Sequence, residues 1–176
     1  MGHDIRIVFT DIDGVWTDGG MYYTDRGDAG RLFNTRDSGG VLLLRQAGIR
    51  LCVISGEKSS SVEARMRKLS VPDVYLGVKN KAGLAQSFCD RHNVLLSQTA
   101  HIGDDLNDIS LLRRVGLSAC PADAQFPVNH IASMVLVRRG GEGVFREFTE
   151  RILESMGILE TTIETLLDKM SDESLE

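Results

Sequence analysis

Short apolar runs recur along the chain at residues 5–10, 50–54, 74–76, 101–103 and 117–120, with a sixth candidate at 133–137. Between them lie longer amphipathic stretches, at 38–47, 58–69, 81–92, 106–115 and 144–153. Brief apolar segments alternating with helical ones predict a parallel sheet with helices on both faces. The expected fold class is α/β, a doubly wound Rossmann-like sheet.

Positions 14–34 break this rhythm. Gly19, Gly20, Gly27 and Gly30 punctuate a segment that carries Trp16, Met21, Tyr22, Tyr23 and Phe33. Aromatic residues around a glycine-bearing turn predict a β-hairpin projecting from the sheet. The remaining length leaves no room for a separate cap domain. After Leu153, an apolar stripe of Ile158, Leu159, Ile163, Leu166, Leu167 and Met170 predicts a last helix, packed either on its own domain or on a neighbouring subunit. The expected organisation is therefore one domain over 1–155, with its hairpin at about 14–34, and a helical tail over 156–176 whose acidic end, from Ser171 on, is frayed.

At 176 residues the chain is long enough for one buried core and too short for two full-sized ones. A net charge of -5, with basic residues scattered along the chain, argues against a nucleic-acid partner. Cys52, Cys89 and Cys120 lie in apolar stretches without a C-x-x-C spacing, which predicts buried reduced thiols and a cytoplasmic setting. No apolar run approaches the roughly 18 residues that a membrane span needs, so no membrane partner is expected.

Chemistry concentrates where the predicted strands end. Asp11 and Asp13 follow the apolar run Ile7, Val8, Phe9, and ligands of open α/β sheets collect outside the carboxyl ends of strands. The run at 101–103 leads into Asp104, Asp105, Leu106, Asn107 and Asp108, bringing further acids to the same edge. Asp105 or Asp108 alone could be helix N-terminal acids favoured by the macrodipole. Two acidic strand ends facing one crevice instead call for a hard cation, and Mg²⁺ takes one or two carboxylates with phosphate and water. Ser55 and Gly56 end the run at 50–54 and form a candidate phosphate cradle, to which Lys79 or Lys81 could add a positive charge. His101 adjoins the acidic turn and is expected to be a packing residue.

The ordered set Asp11-x-Asp13, Ser55, Lys81, then Gly103-Asp104-Asp105-x-x-Asp108 resembles the four motifs of the haloacid dehalogenase superfamily. The resemblance implies that Asp11 attacks phosphorus to form an aspartyl phosphate, and that Asp13 protonates the leaving alcohol and then activates water. It implies further that Ser55 and Lys81 hold the phosphoryl oxygens. Mg²⁺ would be bound by Asp11, Asp104 and the backbone carbonyl of Asp13, with Asn107 or Asp108 supporting the metal shell.

Over about residues 5–153 the chain is similar to the small cap-less branch that contains the 3-deoxy-manno-octulosonate 8-phosphate phosphatases. The matching segments are Asp13-Gly14-Val15-Trp16-Thr17-Asp18, Arg36-Asp37, and the run from Gly140 to Glu147. Members of that branch are typically homotetramers whose hairpins assemble and whose neighbouring subunits help to close each active site. Glu57 and Lys68 look instead like the 2-keto-3-deoxynononate 9-phosphate phosphatases, which makes the nononate phosphate the expected substrate and the octulosonate phosphate the alternative. Glu57 and Lys68 share a face only if the helix begins after Glu57. The segment Asn34, Thr35, Arg36, Asp37, Ser38 mixes the two patterns, and Arg65 falls where the branch is expected to bind the substrate carboxylate. Residues 115–124 are also similar to the C-terminal domain of animal acylneuraminate cytidylyltransferases, a domain of assembly. The second expectation is thus a non-catalytic assembly role; a receiver-type phosphoacceptor is a third.

Overall fold

Every residue of β1 (Ile7–Thr10) is buried, and the burial is divided between two faces. Ile7 and Phe9 enter a cluster with Cys52, Ile54, Ala85 and Phe88, whereas Val8 enters another with Val53, Ala100, Phe145 and Phe148. Alternate strand residues point to opposite faces, so a strand apolar at successive positions needs cover on both. The computed structural model describes residues 4–173.

After β1 come a hairpin of β2 (Tyr22–Thr24) and β3 (Gly27–Gly30), then α1 (Asp37–Gln46), β4 (Arg50–Ile54), α2 (Ser60–Lys68), β5 (Asp73–Tyr75) and α3 (Lys81–His92). The chain continues through β6 (Thr99–Ile102), α4 (Ile109–Leu112), β7 (Leu117–Cys120), α5 (Val128–Ile131), β8 (Met134–Val135), α6 (Val144–Ser155) and α7 (Leu159–Glu173). The main sheet runs β5-β4-β1-β6-β7-β8, with every neighbouring pair parallel. Apolar residues of α1, α2 and α6 cover one face, and those of α3 and α4 the other. This is the expected doubly wound α/β architecture.

The sheet order determines where a site can form. From β1 the chain first builds outward through β4 and β5, then returns to the opposite side of β1 with β6. The connections on the two sides of β1 diverge, and a crevice opens outside the carboxyl ends of β1, β4 and β6. Trp16 braces the floor beside it. Its ring is fully buried and stacks on Phe145 at 4.4 Å, and its Nε1–H donates to Thr10 Oγ1 at 3.0 Å. Thr10 Oγ1 in turn donates to the carbonyl of Asp11 at 2.7 Å, tying the core directly to the first acid.

Several expected elements differ in extent. The helix expected over 106–115 is a 3-10 turn, Leu106–Asp108, followed by the short α4. The cause is the Asp108 side chain, which turns inward to serve the site. The sixth strand shrinks to β8 at the sheet edge, and α2 starts at Ser60 because Ser59 is extended, with φ -148°. In α7, Leu159, Ile163 and Leu166 lie against the main core, Lys169 Nζ donates to Gln46 Oε1 at 2.9 Å, and Leu167 and Met170 are exposed. Ser171 to Glu173, expected to fray, still belong to α7, and residues 174–176 of that acidic end lie outside the described residues. Cys52, Cys89 and Cys120 are buried and free. Among the described residues, no helix is long and apolar enough to cross a membrane.

Candidate active site

A crevice of about 280 Å³ is lined by Asp11, Asp13, Gly14, Gly19, Met21, Ser55, Gly56, Glu57, Asp104, Asp105 and Asn107. Each of the three central strands delivers a polar residue there at its carboxyl end: Asp11 directly after β1, Ser55 directly after β4, and Asp104 two residues beyond β6. Gly14, at φ +79°, makes the close approach of two loops possible, since a side chain at that position would collide with the Asp104 carboxylate. Gly103 does the same for Asp108.

Lys81 is fully buried behind Asp11. Its ammonium lies 2.6 Å from Asp11 Oδ2 and 2.7 Å from Asp108 Oδ1. A cation in the first turn of α3 opposes the helix dipole, so the two carboxylates must account for its presence there. Asp108 is saturated with donors. Lys81 and His101 Nε2 approach its Oδ1 at 2.7 and 3.0 Å, and the N–H groups of Asp104 and Asp105 donate to its Oδ2 at 3.2 and 3.4 Å. It thereby holds both the lysine and the acidic turn in place.

Negative charge exceeds what one lysine can balance. Burial, reinforced by the Asp108 charge, raises the Asp11 carboxyl to about 7 despite Lys81. Burial and the charges of Asp11, Asp108 and Asp105 raise Asp104 to about 8. Burial also works to raise Asp108, but the hydrogen bond and charge of His101, with Lys81, outweigh it and hold Asp108 near about 2. Burial would lower Lys81, and the Asp11 and Asp108 charges reverse that direction. Lys81 shares one positive charge between Asp11 and Asp108, which leaves Asp11 and Asp104 short of positive charge. Carboxylate oxygens of Asp11, Asp104 and Asp108 lie within 4.8 Å of one another, a set of hard donors that fits a small divalent cation.

Of the site residues expected from sequence, Asp11, Asp13, Ser55, Gly56, Glu57, Asp104 and Asn107 line the crevice. Lys81 and Asp108 form its rear wall through Asp11. Asn34 and Thr35 line a neighbouring depression of about 680 Å³ with Asp18, Arg139 and Glu142. Arg36 is exposed and passes over Gly143. Arg65 Nη2 donates to Ser38 Oγ at 2.8 Å and to the Asn34 carbonyl at 3.4 Å, so Arg65 and Ser38 fasten α2 to the start of α1. Glu57 does precede the helix, but Lys68 is exposed in the last turn of α2, and the chain does not bring the two together at the crevice.

Two residues join the site that sequence reasoning passed over or set aside. His101, fully buried in β6, supports Asp108 rather than merely filling space. Arg31, just after β3, forms an ion pair with Asp13, Nε to Oδ1 at 2.5 Å. An arginine beside a glycine in a hairpin reads as a solvated charge, and no sequence spacing connects it to Asp13. His101 left a faint signal: a titratable residue inside an apolar strand that leads into an acidic turn.

Comparison with known proteins bears on this geometry. A haloacid dehalogenase-like hydrolase family profile matches residues 70–148. The 3-deoxy-D-manno-octulosonate 8-phosphate phosphatase of Haemophilus influenzae is 36% identical over 154 residues, covering 88% of this chain and 86% of that protein. The chain belongs to the haloacid dehalogenase-like hydrolases. Two solved structures of such phosphatases superpose closely on this family member. The cobalt-bound Haemophilus influenzae enzyme has a TM-score of 0.85 at 35% identity, covering 89% of this chain and 91% of that one. The Moraxella catarrhalis enzyme, in complex with magnesium, phosphate and the octulosonate sugar, has a TM-score of 0.87 at 28% identity, covering 92% and 93%. The expected enzyme class, a phosphoric monoester hydrolase of this family, therefore holds.

Proposed function

We propose that the chain is a Mg²⁺-dependent phosphatase of a 2-keto-3-deoxy sugar acid phosphate, with 3-deoxy-D-manno-octulosonate 8-phosphate as its substrate. The observation that carries this reading is Asp11 at the crevice floor, backed by the buried Lys81 and flanked by Asp13 and Asp104. Two relatives that cover nearly the whole chain are octulosonate phosphatases, and one of them holds magnesium and phosphate.

In this reading Asp11 is the nucleophile and attacks phosphorus, while Lys81 reduces the repulsion between a carboxylate and a phosphate dianion. Asp13 gives its proton to the departing alkoxide and afterwards takes one from the water that cleaves the aspartyl phosphate. Ser55 and the N–H groups of the turn after β4 hold phosphoryl oxygens. Mg²⁺ would be held by Asp11, Asp104 and the Asp13 carbonyl, and it supplies neutralisation of phosphoryl charge when bound. Asp108 and Asn107 support that shell. Assembly as a homotetramer through the hairpins belongs to the same reading, and Tyr22 and Tyr23, 61% and 66% exposed, are side chains such contact would cover. A cytoplasmic setting accords with three free buried cysteines.

A second reading, a 2-keto-3-deoxynononate 9-phosphate phosphatase, keeps one supporting observation: Glu57 lines the crevice. Its other support, Lys68, is not at the crevice. Phosphate release from the two sugar phosphates, each with Mg²⁺ and with a chelator, tests both readings. We expect kcat/KM to be at least tenfold higher for the octulosonate phosphate and to vanish with chelator. The reverse preference would establish the nononate reading, and no release from either phosphate would refute both.

A further inference from the structure

Arg31 is built into the molecule in a way that a surface arginine is not. Its side chain is 1% exposed, and its guanidinium reaches partners on different segments, Asp13 and Ser59 among them. Nε–H meets Asp13 Oδ1 in the loop after β1, and Nη1–H donates at 2.8 Å to Oγ of Ser59, the residue immediately before α2. Ser59 is itself buried, and its Oγ lies 2.9 Å from that of Ser61. The guanidinium therefore joins the end of the hairpin, the start of α2 and the crevice carboxyl of Asp13. A planar fork with fixed donor directions can hold two acceptors at set angles, which a lysine ammonium cannot do as rigidly.

We propose that Arg31 is a positioning residue for the proton-transfer step, fixing the Asp13 carboxyl against the leaving-group oxygen. This rests on the phosphatase reading above. In the step concerned, the Asp11 oxygen forms a bond to phosphorus and the phosphorus–oxygen ester bond breaks. The carboxyl proton of Asp13 then passes to the departing alkoxide. An alkoxide cannot leave without that proton, whereas a nitrophenolate leaves unprotonated. Displacing a reacting group by about 1 Å costs on the order of 100-fold in rate. Loss of Arg31 thus penalises sugar phosphates and largely spares aryl phosphates.

The test measures kcat/KM for octulosonate 8-phosphate and for p-nitrophenyl phosphate in the unaltered chain, Arg31→Met, Arg31→Lys and Ser59→Ala. Because kcat/KM stops at the first irreversible step, it excludes the later hydrolysis of the aspartyl phosphate. For Arg31→Met we expect the sugar-to-aryl ratio of kcat/KM to fall at least tenfold. Arg31→Lys should recover part of the loss, and Ser59→Ala should show a smaller fall in the same direction. Should Arg31→Met not fold, the lysine and Ser59 variants carry the same comparison. Equal losses of kcat/KM on both substrates would overturn the inference and leave the phosphatase reading standing. No turnover of either substrate by the unaltered chain would overturn that reading and the inference with it.

Discussion

Replacing Asp37 by asparagine should make the protein relatively more stable at neutral pH and leave much less difference in mild acid. Asp37 is fully buried at the start of α1, where its Oδ1 accepts the Arg146 N–H at 3.1 Å and its Oδ2 has no partner. Burial raises its carboxyl to about 6, against the N–H groups of Arg146 and Phe145 and the charges of Arg65 and Arg138, all of which favour ionisation. The ordinary value is 3.8. A folded-state value above the unfolded one means stability that is fully present below about 3.8 and lost as pH rises through about 6. The rise from 3.8 to about 6 corresponds to about 3 kcal/mol in all, of which about 1 to 2 kcal/mol falls between pH 5 and 7.5. Asparagine keeps the acceptor for Arg146 and does not ionise, and its amide group costs about 1 kcal/mol at both pH values if it finds no partner. Urea unfolding of both proteins at pH 5 and 7.5 measures the quantity, with Trp16, the single tryptophan, as reporter. The variant-minus-parent stability should be about 1 to 2 kcal/mol more favourable at pH 7.5 than at pH 5. The same difference at both pH values would refute the claim that Asp37 is a strained, desolvated acid.

Three further substitutions probe the site and its support. Asp11→Asn should lower turnover by about 1,000-fold or more in a phosphate-release assay while the protein still unfolds cooperatively in urea, since Lys81 keeps its pairing to Asp108. Lys81→Met removes the shared ammonium from two buried carboxylates. Stability at pH 7.5 should fall by about 3 to 5 kcal/mol in urea unfolding, with turnover lost as well. Trp16→Ala deletes a fully buried ring stacked on Phe145 and leaves Thr10 without its indole partner. A loss of about 3 to 5 kcal/mol is expected from calorimetry or urea, with kcat falling because Thr10 tethers Asp11.

The parts of this fold that were legible in the sequence are those governed by local pattern. Ile7 to Phe9 read as a strand because burial on both faces removes any need for polar alternation, and the acids beyond it marked the sheet edge. The hairpin was legible from Gly27 and its aromatic neighbours. What the sequence hid depends on side chains reaching across the fold. The helix expected over 106–115 gave way to a 3-10 turn because Asp108 spends its carboxylate on Lys81, His101 and two backbone N–H groups, partners separated from it by up to 27 positions. Arg31 finds Asp13 only because the hairpin folds back over the loop after β1. Lys68 carried weight as one half of a pair, and the length of α2 keeps it from Glu57. Family resemblance pointed to the strand ends, and Asp11, Ser55 and Asp104 do line one crevice there; Glu57 lies at the same crevice and Lys68 does not.

The central claim is that Asp11 becomes covalently phosphorylated. The most direct measurement quenches the enzyme in the first milliseconds of turnover of octulosonate 8-phosphate with Mg²⁺, reduces it with borohydride, and sequences the peptides by mass spectrometry. An aspartyl phosphate is reduced to homoserine, so the account requires homoserine at position 11 in the parent chain and its absence in Asp11→Asn. Full phosphate release with position 11 recovered as unmodified aspartate at every quench time would contradict it.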